Sequence, residues 1–175
     1  MRKPKLAAAA VGVLGLAAAG CGYHAAGHAG RLPSEVRTIA VPAFVNQTQT
    51  FRIEQTLTQA VAREFVTRTR YQIANDAGEG ADATLRGTVL SASTSPATYD
   101  SQTGRVVTVL VTVNLQVSLT DRQGKVLFEN PAYVFREQYQ VSSELSSFFE
   151  EDSPALQRLS RDFARTLVSQ ILEGF

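Results

Sequence analysis

Residues 105–119, RVVTVLVTVNLQVSL, constrain the fold of this chain more than any other stretch. Val107, Val109, Val111, Val113, Leu115, Val117 and Leu119 fall on one face of an extended backbone, with Thr108, Thr112, Asn114, Gln116 and Ser118 on the other. Alternation sustained over this length is a strand with one buried face and one polar face. TDRQGK, 120–125, supplies a tight turn containing Gly124. A further strand over 125–140 carries Phe128, Tyr133, Phe135 and Tyr139, with Pro131 marking a bulge. Upstream, Ala83 to Ser93 alternates more loosely, with Ala83, Leu85, Gly87 and Val89 on one side. SPATYDSQTG, 95–104, reads as a polar connection. These three strands form an antiparallel meander.

A meander with one apolar face needs a cover, and two helices supply it. Ile53, Leu57, Val61 and Phe65 recur every four residues, so 51–69 is an amphipathic helix. Thr50 is its expected N-cap, and Glu54 places an acid in the first turn, where the helix dipole favours one. The last helix starts at Ser153 as N-cap and Pro154 as first helical residue. Its stripe is Leu156, Leu159, Phe163, Leu167 and Ile171. TIAVPAFVN, 38–46, reads as one strand that Pro42 confines to an edge or bulge, Tyr71 to Ala74 as a candidate short extra strand, and NDAGEGAD, 75–82, as a loop. The expected fold is α+β: two helices on one face of a four-stranded mixed or antiparallel sheet, in the order β-α-β-β-β-α.

The N-terminal region follows other rules. Arg2, Lys3 and Lys5 precede an apolar run that ends at Ala18-Ala19-Gly20-Cys21. A positive start, an apolar segment too short for a membrane span and small residues at the end make residues 1–20 a signal peptide. Cys21 is the only cysteine in the chain. It has no partner for a disulfide, and its setting resembles a lipobox, so Cys21 is the expected lipidation site. Two or more acyl chains hold a protein on a bilayer stably where one does not. Gly22 follows, a residue compatible with export to the outer membrane. Residues 21–34, rich in Gly and Ala, read as a lipidated tether, and 35–175 as a single domain.

The body offers surfaces and no catalytic constellation. Without the three leading cations the balance is 14 basic to 16 acidic residues, so no basic footprint points to nucleic acid. His24 and His28 lie in the tether, where glycines disfavour the helix that a metal pair four apart requires. Neither Cys/His nor Ser/His catalysis has a base in the body, and no glycine motif cradles a phosphate. Glu150 and Glu151 serve a helix start better than acid–base work. The expectation is a non-enzyme without cofactor or metal.

Taken together, CGYH at the lipidation site, RLPSEVRTIAVPAFVNQT, IEQTLTQAVAREFVTRTRY and VVTVLVTVNLQVSL resemble the LptE family of outer-membrane lipoproteins of lipopolysaccharide assembly. The resemblance runs from Cys21 to Phe175. It implies a plug in the lumen of an LptD-type β-barrel that helps the barrel assemble and assists lipopolysaccharide transport to the cell surface. It also implies residence at the outer membrane through the N-terminal lipid. In that family, basic residues near the tip loops are implicated in meeting lipopolysaccharide phosphates. Here 96–104 contains no Lys or Arg and FFEEDS, 148–153, is acidic, so Arg105, Arg86 and Arg136 stand as the ligand-binding candidates. Acidic tips would instead meet phosphates through a divalent cation. Phe148 and Phe149 read as a staple or core cover, with contact to barrel or lipid as the other reading. A lipoprotein of this shape that regulates a peptidoglycan synthase or pilots a secretion pore is the alternative.

Overall fold

The computed structural model describes residues 32–78, 80–140 and 154–173. The signal peptide, Cys21, both histidines, Phe148, Phe149, Glu150, Glu151 and Ser153 lie outside the described residues. The elements are β1 (Thr38–Ala40), β2 (Val45–Asn46), α1 (Ile53–Arg68), β3 (Gln72–Ala74), β4 (Ala83–Tyr99), β5 (Val106–Asp121), β6 (Val126–Gln140) and α2 (Pro154–Glu173). The architecture is α+β, but the sheet has six strands rather than four. Its order is β3-β1-β4-β5-β6, with β2 also paired to β4.

The two additional strands have separate origins. TIAVPAFVN is not one strand: the chain leaves β4 after Ala40, passes Pro42, which has no N–H to donate, and rejoins β4 at Val45. β1 is also interior rather than an edge, because Gln72–Ala74 pairs parallel to it on its far side. Pro42 is accommodated in the gap between the two short strands. β4, β5 and β6 form the expected antiparallel meander.

β4 runs on to Tyr99, through residues expected to be a polar connection. A bulge at Leu90 makes this extension work. Before it Leu85, Gly87 and Val89 face the helices; after it Ala92, Thr94 and Pro96 do, opposite Val113, Val111 and Val109. Beyond Asn46 only β5 pairs with β4, so Pro96 sits on a free edge where its missing donor costs no ladder bond. In β6 the expected bulge is present: the register shifts between Leu115 and Val117, placing Pro131 and Ala132 in the irregularity.

Both helices return from strands of one direction, since β6 runs parallel to β4 through β5. They therefore lie side by side and parallel, and Arg68 in the last turn of α1 reaches Ser169 of α2 at 2.7 Å. The stripes Ile53, Leu57, Val61, Phe65 and Leu156, Leu159, Phe163, Leu167, Ile171 are all buried against the sheet. Tyr133 and Phe135 each meet Phe163 edge to face at 5.8 Å. Leu32 and Val36, just ahead of β1, also join this core.

One expected cap is displaced. Thr50 does not cap α1: the N-cap position is Arg52, left-handed at φ 51 and without a side-chain cap. The Asn46 side chain organises the approach instead, donating to Thr50 O and Glu54 Oε2 at 2.9 Å and accepting from Thr48 N at 2.8 Å.

Candidate functional site

The sheet offers two features for function, its uncovered face and the end of the β4–β5 hairpin. Inward residues of β5 are buried from Val109 to Leu119, whereas the alternate residues Thr108, Leu110, Thr112, Asn114, Ser118 and Thr120 remain partly exposed and Gln116 is exposed. Register brings Thr84, Arg86 and Thr88 of β4 beside them on one flank, and Val134, Arg136, Gln138 and Gln140 of β6 on the other. The result is a broad surface dominated by hydroxyl, amide and guanidinium groups. Its polar side chains also join neighbouring strands: Asn114 Nδ2 donates to Ser91 Oγ at 2.7 Å, and the Thr98 and Thr108 hydroxyls are hydrogen-bonded to each other.

The β4–β5 hairpin outruns the helix layer. β4 has 17 residues against 16 in α1, and at about 3.4 Å per strand residue and 1.5 Å per helix residue it is more than twice as long. Residues 95–99 and 101–105 are exposed, so the hairpin ends as a two-stranded ribbon standing clear of the core. Its turn is closely tied. Asp100 Oδ1 accepts from Thr103 N at 2.7 Å, Thr103 Oγ1 at 2.8 Å and Gln102 N at 3.0 Å. Those donors hold the Asp100 carboxyl below its usual range. Gly104, at φ 68, takes the left-handed step that closes the turn.

All three arginine candidates are exposed, but they do not converge. Arg86 is in register with Ser118 and Arg136 with Thr112, so both stand on the open face about 20 Å apart along the strands. Arg105 lies in the ribbon turn, roughly another 20 Å beyond Thr112. A single compact ligand cannot touch all three.

The sequence reading missed the ribbon itself, with Tyr99, 62% exposed, near its end. The signal was present as DSQTG, an aspartate four residues ahead of a glycine, but the Leu90 bulge broke the alternation that leads to it. At the opposite end of β4, Asp82 is a structural clamp. Its carboxylate accepts from Arg37 N and Thr38 N at 2.9 Å and pairs with Arg122 at 3.0 Å. Those backbone donors, with the guanidinium, lower its pKa. Among the described residues, no group of three or more His, Cys, Asp or Glu is placed to hold a metal ion. No described helix is long and apolar enough to cross a membrane.

This arrangement is found in known proteins. A family model described as LptE, lipopolysaccharide-assembly, matches residues 36–171. The chain belongs to the LptE family. That match covers β1 through nearly all of α2, so membership rests on the whole sheet-and-helix body and identifies a lipoprotein of lipopolysaccharide assembly. The LptE family is non-enzymatic and works with the lipopolysaccharide transport machinery. Solved structures of similar fold include the hypothetical protein CT253 of Chlamydia trachomatis, with a TM-score of 0.53 and 11% identity over 79% of this chain and 97% of that one. The PelC dodecamer of Paraburkholderia phytofirmans gives 0.51 and 15%, over 83% of this chain and 94% of that one. At these identities the likeness is one of fold. No curated protein matches the chain significantly in sequence.

Proposed function

We propose that this LptE-family chain is an outer-membrane lipoprotein, anchored through acylated Cys21, that lodges in the lumen of an LptD-type β-barrel. There it helps the barrel assemble and assists lipopolysaccharide transport and insertion at the cell surface. In this reading residues 1–20 are removed as a signal peptide, 21–34 tether the body, and 35–175 form the plug. The observation that carries it is the sheet's open face. A domain this small leaves three long strands uncovered on one side, and their hydroxyl and amide side chains match the polar interior of a membrane barrel. The projecting ribbon gives such a plug a reach toward the barrel's far end, with Arg105 at its turn. Arg86 and Arg136, spaced along the open face, serve as separate contacts to barrel or lipid phosphates.

The test is a pull-down of the C-terminally tagged full chain from detergent-solubilised outer membranes, with copurified proteins identified by mass spectrometry. A stoichiometric large β-barrel is the expected partner. A peptidoglycan synthase or a secretin in its place overturns the plug reading.

A further inference from the structure

On the solvent side of the helix layer, away from the open sheet face, α1 and α2 border a groove of about 420 Å³. Arg63 stands on its α1 wall and Arg161 and Arg165 on its α2 wall, with the small residues Ala60 and Ser160 between them. None of the three arginines forms an ion pair with a described residue. The carboxylate lining the groove, Glu64, is engaged by Arg68 at 3.4 Å. Asp162, adjacent in sequence to Arg161, accepts from Tyr139 Oη at 3.2 Å. Arg161 and Arg165 set like charges four apart on one helix, an arrangement that costs helix stability, while Asp162 offsets Arg158 at the same spacing. A cluster kept at that cost in a body with a nearly even charge balance is suited to meeting an anion.

We propose that this groove binds phosphate groups of a glycolipid, as a site separate from Arg86, Arg105 and Arg136. The groove is concave and within the size range of small-ligand sites, roughly 300–1,000 Å³. Its cations are arginines, whose planar forks match phosphate oxygens two at a time. None of the exposed large hydrophobic residues lines it, so it lacks the apolar anchors of a protein interface. The choice of lipopolysaccharide over free phosphate rests on the lipopolysaccharide-assembly reading.

The experiment measures binding of the full chain in nonionic detergent to three probes: purified lipopolysaccharide, the same material stripped of phosphate with hydrofluoric acid, and inorganic phosphate. Phosphorylated lipopolysaccharide binds tightest to the wild type. Arg161→Gln/Arg165→Gln weakens that binding by about tenfold or more per guanidinium lost, as does Arg63→Gln. Lys125→Gln, an exposed cation away from the groove, leaves it within about threefold, within the usual effect of a weak exposed charge. Removing the stacked charges keeps the melting temperature at or above wild type, so a fall in affinity is not a fall in folding. Should the double variant not fold, Arg63→Gln alone decides the matter. Equal binding of intact and stripped lipopolysaccharide, inorganic phosphate as tight as lipopolysaccharide, or wild-type affinity in the groove variants overturns the proposal. So does loss of the barrel from the pull-down with lipopolysaccharide affinity unchanged, which makes the groove a protein contact. A wild-type chain that recovers no barrel yet shows the groove effect removes the plug reading and leaves this site standing.

Discussion

Gly87 shows how narrow the tolerance is where the N-terminal strands meet the meander. A Cβ at this position would stand 2.8 Å from the Phe44 ring, and Phe44 is itself fixed by its backbone N–H donating to Thr58 Oγ1 at 3.0 Å. Gly87→Ala therefore destabilises by about 1–3 kcal/mol in denaturant titration, and Gly87→Ala/Phe44→Leu recovers part of that loss. Two titratable residues make pH-dependent contributions of opposite sign. Folding lowers the Asp82 pKa below its usual 3.8, so the carboxylate stabilises the fold above that value and stops doing so as pH falls through the lower folded value. Thermal melts of Asp82→Asn lie below wild type at neutral pH, and the gap closes as the solution is taken below pH 3.8. Burial pushes Tyr133 from 10 up to about 12, so across that window the fold keeps a proton the unfolded chain has released. Stability then falls with rising pH, more steeply for wild type than for Tyr133→Phe.

Among the elements, those with an uninterrupted period were legible and those set by a partner strand were not. The α1 and α2 stripes and the alternation of β5 each name their buried face, and every residue of both helix stripes is buried as the spacing requires. Val107 is the exception on β5: it is 38% exposed because it lies where the strand has left the core for the ribbon. The short strand expected over 71–74 is present as Gln72–Ala74, but its place in the sheet is set by its pairing with β1, which no period in so short a run could name. The Leu90 bulge exchanges the two faces of β4, which hides the extension to Tyr99 from any reading by alternation. The arginine candidates were legible as exposed strand and turn residues, but their wide separation is a matter of register. The groove arginines needed the parallel pairing of two distant helices to be seen together. Because the ribbon is exposed over 95–99 and 101–105, replacing 97–105 with a tight turn leaves the melting transition nearly unchanged, while recovery of lipopolysaccharide with the purified chain falls.

For the whole molecule, the sheet separates two tasks: one face holds the helices and the other is free for a partner. Gln116 is exposed at mid-strand on the free face, so Gln116→Trp alters stability by less than about 0.5 kcal/mol yet lowers barrel recovery in the pull-down. The strand order also carries a meaning in time. β1, β2 and β3 find their partners only in one another and in β4. Among the described strands, β1 and β2 therefore wait for 83–89 before their pairing is complete, and β3 joins the sheet only through β1, while the meander that follows pairs neighbour with neighbour. In a chain made N-terminus first, the part that emerges earliest is the last to finish. Its α1 stripe stays open to a holdase until the hairpins have arrived.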